Sequence, residues 1–266
     1  MSKIIKDNSQ TGAEEVHWNL DDLYLSETAL EKDLEIVRIS SQIFAKSYKG
    51  QLASLDVEGL VRSLKELEVL LEKLERAHTF AYLNWCTQTD NAQSGALLQK
   101  VREQCSRIEQ ELLFFELEWT QLEPDKADVF LGSPSLGHYR HFLEVERLRR
   151  PHILTDPEEK ILLEKTVTGS LAWSRLFDEI LGSARFPFDG SELSEQEVLA
   201  KLYNPNREIR KRAAQSLTEG LEVHLQELTF VFNTTLADKA SQDHLRSYPT
   251  WLSSRNLSNK ISNEAV

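Results

Sequence analysis

Two apolar stripes in the first half of the chain, separated by one short polar turn, set the main constraint on how it can fold. From a cap at Asp56, apolar side chains recur at helical period through Val57, Leu60, Val61, Leu64, Leu67, Leu71, Leu74, Ala81 and Trp85. A second run from about Ala92 to Leu122 places Val101, Cys105, Ile108, Leu112, Phe115, Trp119 and Leu122 at alternating steps of four and three. That alternation is the seam of two helices packed along their length. Thr87-Gln-Thr-Asp-Asn91 is too short for anything but a tight connection, so the two helices are expected to form an antiparallel pair. A coiled-coil dimer would carry the same stripe, but the short loops and the amphipathic neighbours favour packing within one chain.

The neighbouring segments read as further helices and one β element. Residues 1–16 are polar and are expected to fray as a leader. Asn19-Leu-Asp-Asp-Leu23 is an entry turn, with Trp18 and Leu20 available to pack. Ser26 is suited to cap a helix running to about Lys49, with Leu30, Leu34, Val37 and Ile43 inward and Gly50 as its stop. Pro124 opens a short helix, Ser133-Pro-Ser-Leu-Gly137 breaks the chain, and Tyr139–Leu148 is helical up to Pro151. Thr155-Asp-Pro-Glu-Glu159 has the cap, early Pro and first-turn acids of a helix start.

A helix carrying Trp173, Leu176, Phe177 and Ile180 then runs into Phe186-Pro-Phe-Asp-Gly190. Asp-Gly is hairpin-turn chemistry, so residues 184–193 form the single β-hairpin, with Phe186 and Phe188 on one face. Ser194-Glu-Gln-Glu197 is a capping box. Asn204-Pro-Asn-Arg207 opens a third long helix, with Ile209, Ala213, Leu217, Leu221, Leu225, Leu228, Phe232 and Leu236 inward. The tail from Ser241 is weakly patterned, and Ser262–Val266 reads as a helix just beginning, so the chain is expected to stop short of a domain end. The fold class is mainly α: long antiparallel helices with one small hairpin. The expected organisation is a leader (1–16), a helical N-terminal domain (17–150) and the start of a second domain (151–266).

Composition narrows the function. With a net charge of −12, the chain lacks the Lys/Arg excess that binds nucleic acid or anionic membranes. An acidic surface would suit basic peptides, though it more often serves solubility. Cys86 and Cys105 both fall on apolar helix faces, have no CxxC partner and form no disulfide framework. With no apolar run of signal-peptide length and no membrane-length span, the expected location is the cytoplasm.

Several residue groups could carry chemistry, and each has a plainer reading. His138, His141 and Glu144 are spaced by three and could share a helix face and a metal, or could be solvated neighbours of Tyr139, Phe142 and Leu143. Glu14/His17 and Glu75/His78 are both Glu-x-x-His, the element of di-iron bundles. Two such pairs are close to what chance supplies in a Glu-rich chain, and His78 more simply flanks the inward stripe. Gly169-Ser170 precedes a helix but lacks the Gly-rich loop and Lys-Ser/Thr of a phosphate site. No Gly-x-Ser-x-Gly elbow occurs. Arg207, Arg210, Lys211 and Arg212 could meet peptide carboxylates, or pair with acids one turn away, as Glu208/Arg212 would.

Helix, hairpin and helix again is an unusual order in a helical chain, and further segments accompany it. They are Trp18-Asn-Leu-Asp-Asp-Leu-Tyr24, Ala96-Leu-Leu-Gln-Lys-Val-Arg102, Glu111-Leu-Leu-Phe-Phe-Glu-Leu-Glu118 and Tyr139-Arg-His-Phe-Leu143 upstream. Downstream lie Leu202-Tyr-Asn-Pro-Asn-Arg-Glu-Ile-Arg210, Phe232-Asn-Thr-Thr-Leu-Ala-Asp-Lys239 and Leu245-Arg-Ser-Tyr-Pro-Thr250. As an ordered set over roughly residues 16–266, these resemble the oligoendopeptidase F group of zinc metallopeptidases, in the thimet oligopeptidase family.

The resemblance implies two mainly helical parts enclosing a channel for short peptides. Zinc would sit on a His-Glu-x-x-His helix, whose Glu polarises the attacking water. None of the seven histidines here is followed by Glu, and no two are four apart. In the family that helix lies further toward the C-terminus than residue 266. The chain therefore reads as the leading part of such an enzyme, supplying scaffold and channel wall and inactive alone. No catalytic, cofactor-binding or metal residue is assigned in it. Zinc belongs to the full-length enzyme, and the expected partners are short peptides and the missing catalytic part. An apolar surface on Phe186, Phe188, Phe230 and Phe232 is the expected mark of that missing part. The alternative is a non-catalytic helical docking module, which would close the same surface with polar groups. A di-iron bundle ranks last.

Overall fold

The computed structural model describes residues 18–89 and 91–266. The leader and the Glu14/His17 pair lie outside the described residues. The chain is mainly helical. The first helices are α1 (Glu27–Tyr48), α2 (Val57–Cys86), α3 (Ala92–Gln121), α4 (Pro124–Leu131) and α5 (Arg140–Leu148). After them come α6 (Asp156–Thr168), α7 (Ser170–Ser183), strands β1 (Phe186–Phe188) and β2 (Ser191–Leu193), then α8 (Glu195–Lys201), α9 (Arg207–Val223), α10 (Leu225–Leu245) and α11 (Ser253–Ser258).

The two stripes form the antiparallel pair α2/α3. Near its turn, Asn84 Nδ2 donates to Ser94 Oγ at 3.4 Å, and three turns further down Cys105 Sγ lies 4.0 Å from the Leu74 carbonyl. All seven seam residues of the second stripe are buried. Helix α1 lies against both, capped by Ser26 Oγ, which accepts from the Ala29 N–H at 3.2 Å. It ends at Gly50, whose φ of +76° is the left-handed conformation that glycine adopts without strain. The Glu118 carboxylate accepts from the Gly50 and Leu52 N–H groups at 2.6 and 3.3 Å and ties this corner to α3. At the other side, Trp119 is 1 % exposed and its Nε1–H donates to the Leu143 carbonyl at 2.9 Å, which fixes α5 on α3.

One large apolar core runs from Tyr24 to Leu143 through α1–α5. Helix α6 packs on α3, α7 on α6 and α10, and the hairpin on α8 and α9. A small second core joins Ala184, Phe186, Val198 and Ala213. The hairpin pairs Phe186 with Leu193 and Phe188 with Ser191, and its Asp189-Gly190 turn has φ of +49° and +85°. Positive φ at both central residues is the turn whose twist matches the strands. The capping box expected at Ser194/Glu197 closes, and the Thr155 cap forms a second one with Glu158.

Four sequence expectations need correction. Ile43 faces outward, and Ser41 and Phe44 take its place against α2 and α3. Leu71 faces outward and Leu70 inward, because α2 packs on α1 as well as α3 and so buries a wider face than one stripe. The third long helix is two helices: at His224 the backbone leaves the helical region (φ −105°, ψ 14°). Leu217 and Leu221 therefore face the hairpin core, whereas Leu225, Phe232 and Leu236 on α10 are exposed. Cys86 is exposed rather than on an apolar face, while Cys105 is buried.

Candidate functional site

Most of the residue groups singled out in the sequence resolve into structural roles. His138 precedes α5, and its Nε2 lies 3.9 Å from Glu68 Oε1, away from the exposed His141 and Glu144. Gly169 joins α6 to α7, where a Cβ would come within 2.8 Å of the Lys165 carbonyl oxygen. Arg212 does not pair with Glu208. It forks onto the Asp189 carboxylate at 2.9 and 3.1 Å, pinning the hairpin turn to α9. Arg210 donates to the Asn204 and Pro205 carbonyls at 2.8 and 2.9 Å. Phe186 is fully buried, not part of an open surface, and Phe188 packs partly beside it. Phe230 and Phe232 are exposed at 60 % and 63 %.

A cleft of about 600 Å³ lies between the C-terminal half of α3, α6, the end of α10 and residues 248–258. Its polar wall is built from parts distant in sequence. Arg246, the last-turn neighbour of α10, donates to both oxygens of Glu159 on α6, at 2.6 and 2.7 Å. Glu159 Oε1 also accepts from the Leu154 N–H at 2.9 Å. Burial alone would raise the Glu159 carboxyl, but the Arg246 fork, the Leu154 N–H and the Arg246 charge together hold it below the usual range. Arg246 Nη1 also donates to the His152 carbonyl at 3.2 Å, and the His152 ring stacks on Tyr248 with centroids 3.9 Å apart. Beside this, Lys239 bridges Asp243 (2.5 Å) and Ser254 (2.8 Å), and Ser254 Oγ donates to Asp243 at 3.0 Å.

A second acidic feature borders the cleft. Glu146 on α5 is 9 % exposed, and its Oε2 has no hydrogen-bond partner among the described residues. Burial, followed by the charge of Glu116, pushes its carboxyl up to about 7, although Arg149 lies 3.6 Å away and opposes the shift. Its folded value lies above the unfolded one, so its contribution to stability is full below ~4.3 and is lost as pH rises through about 7. Glu146→Gln is expected to raise stability at pH 8 by about 1–2 kcal/mol and to leave it nearly unchanged at pH 4. Denaturant melts at the two pH values measure this, and equal effects at both would rule the assignment out.

No three His, Cys, Asp or Glu side chains among the described residues lie close enough to share a metal ion. His-Glu-x-x-His is also absent from the sequence, so the described residues do not fit a zinc site of that kind. What the cleft can do is present a rigid, internally paired polar wall to an extended ligand. Apart from the Leu245–Thr250 segment it has no signal in the sequence, because its pairing partners are 87 residues apart.

Residues 118–186 match the family model described as Oligopeptidase F. The chain is 29% identical to oligopeptidase PepF of Bacillus subtilis over 79% of its own length. The chain is similar in sequence to oligoendopeptidase F-type peptidases. Group B oligopeptidase PepB of Streptococcus agalactiae is a further relative, 25% identical over 80% of this chain. The crystal structure of oligoendopeptidase F from Enterococcus faecium superposes with a TM-score of 0.76 at 20% identity. It covers 90% of this chain and 48% of that one, and so shares the fold. The chain spans about a third of the curated relatives it matches, 32% of PepF and 36% of PepB. No helix among its described residues is long and apolar enough to cross a membrane.

Proposed function

We propose that this chain is the leading part of an oligoendopeptidase F-type zinc metalloendopeptidase of the cytoplasm, one that hydrolyses short peptides. In this reading it supplies scaffold and channel wall, while zinc and the catalytic groups belong to the remaining two-thirds, so the chain is inactive alone. The observation that carries the reading is the uneven core. Almost all buried apolar side chains lie before residue 146, and beyond it only Ala184, Phe186, Val198, Ala213 and Val231 are buried among the described residues.

Helix α10 instead exposes Leu225, Phe230, Phe232, Leu236 and Leu245. A finished docking module would close this surface with polar groups; Leu225, Phe232 and Leu236, spaced to share one side of the helix, are exposed apolar side chains of the kind that mark a covered interface. The remainder of the peptidase is the occupant that fits. The direct test is hydrolysis of an internally quenched, unstructured peptide by the purified chain with zinc added. Background rates are expected. Turnover that rises with zinc and is abolished by a chelator would overturn the proposal.

A further inference from the structure

Away from the main cleft, a cavity of about 390 Å³ lies between α2, α3 and the α6–α7 corner. Leu163, Val167 and Leu171 form its apolar side. Its polar side comes from one face of α3, where Arg102, Ser106 and Glu109 follow at steps of four and three, and from Glu75 and His78 on α2. Two of these groups have unmet demands. Arg102 Nε and Ser106 Oγ are buried without a hydrogen-bond partner among the described residues, and Ser106 is only 6 % exposed. A buried donor left unpaired costs roughly 1–3 kcal/mol, so such groups are seldom retained without something to meet them.

At the other end of the cavity the imbalance is of opposite sign. Burial, and then the charge of Glu75, push the Glu109 carboxyl above its usual range. A cation placed there would relieve the two acids, just as an anion would satisfy Arg102 and Ser106. The spacing suits one molecule carrying both charges. Arg102 and Glu109 are seven residues apart, about 10 Å along the helix. An extended dipeptide spans about 7 Å, a length comparable with that separation.

We infer that this cavity is a binding site for a short zwitterionic peptide with apolar side chains. Its carboxylate would meet Arg102 and Ser106, its ammonium group would lie between Glu75 and Glu109, and its side chains would pack on Leu163, Val167 and Leu171. The inference rests on the peptidase reading only for where such a peptide would come from. Binding is measured without hydrolysis, so its failure would leave that reading untouched.

The test is titration of the full chain with leucyl-leucine, followed by calorimetry or amide shift changes. N-acetyl-leucyl-leucine and leucyl-leucinamide serve as capped controls. Saturable binding of the free dipeptide is expected, weakened at least about tenfold by either cap. Arg102→Ala should abolish binding, and Glu109→Gln should weaken it by a similar factor to the N-acetyl cap. If Arg102→Ala does not fold, Arg102→Gln, which keeps most of the side chain's packing, is the substitute. No saturable binding, equal binding of the capped peptides, or wild-type binding by a folded Arg102 variant would each overturn the inference.

Discussion

Arg246→Ala is expected to lower stability by about 3–5 kcal/mol at pH 7, because it strands a buried carboxylate rather than merely deleting a contact. The Glu159 side chain is 10 % exposed and spends both oxygens on Arg246 and one also on the Leu154 N–H. With the guanidinium gone, the charge faces a wall that offers one backbone donor. Glu159 is held below the usual carboxylate range in the intact protein. Its contribution is therefore present above ~4.3 and is lost as pH falls through its lowered value.

The deficit of the Arg246 variant should accordingly shrink on acidification, as the stranded carboxyl takes up a proton. Glu159→Gln added to Arg246→Ala should recover part of the loss at pH 7, since the two residues are directly coupled. Denaturant melts of both variants at pH 7 and pH 4 read this. A loss under about 1 kcal/mol, the range of exposed ion pairs, would show that the pair is a surface feature and not the brace of the cleft.

Gly220→Ala should be the most damaging single-methyl change in the second half of the chain. A Cβ at Gly220 would stand 2.2 Å from Phe186 Cδ1 and 2.6 Å from Cε1. Phe186 is fully buried and held by its strand pairing with Leu193, so the ring has no free direction in which to retreat. Overpacking on this scale costs about 1–3 kcal/mol and more where the neighbour is rigid. The loss should concentrate in the hairpin, α8 and α9, because α1–α5 have a separate core. Hydrogen exchange is the fitting measurement: amides of β1, β2 and α9 should lose protection while those of α2 and α3 keep theirs. Phe186→Leu combined with Gly220→Ala should be less destabilised than the sum of the two single changes. A Gly220→Ala protein with wild-type protection in the hairpin would contradict the packing described.

These two sites mark where the sequence could be read and where it could not. The α2/α3 seam was legible because each residue's burial is decided by one neighbour at a fixed period, and the seven seam positions between Val101 and Leu122 turn inward. Caps and turns were legible for a similar reason: Ser26, the Thr155 and Ser194 boxes and Asp189-Gly190 act within four residues. Ile43 and Leu71 went the other way because α1 and α2 each serve two neighbours, and a stripe does not say which neighbour wins.

The division at His224 was hidden because Leu221, Leu225 and Leu228 continue the period through the break. Only the different partners of α9 and α10, the hairpin and α7, reveal it. The Glu159–Arg246 brace and the Arg102–Ser106 pair leave no periodic trace at all. Their meaning depends on which distant side chains the fold brings beside them.

The central claim is that α10 presents a face made for the rest of a peptidase. The most direct measurement mixes this chain with the portion of Bacillus subtilis oligopeptidase PepF that follows its matching third, and reads zinc-dependent cleavage of a quenched peptide. The account predicts association and hydrolysis well above either part alone, lost when Phe232 and Leu236, four residues apart on one side of α10, are both changed to Ser. No association, with the paired Phe232 and Leu236 substitutions changing nothing, would contradict it and leave a helical protein that closes on itself.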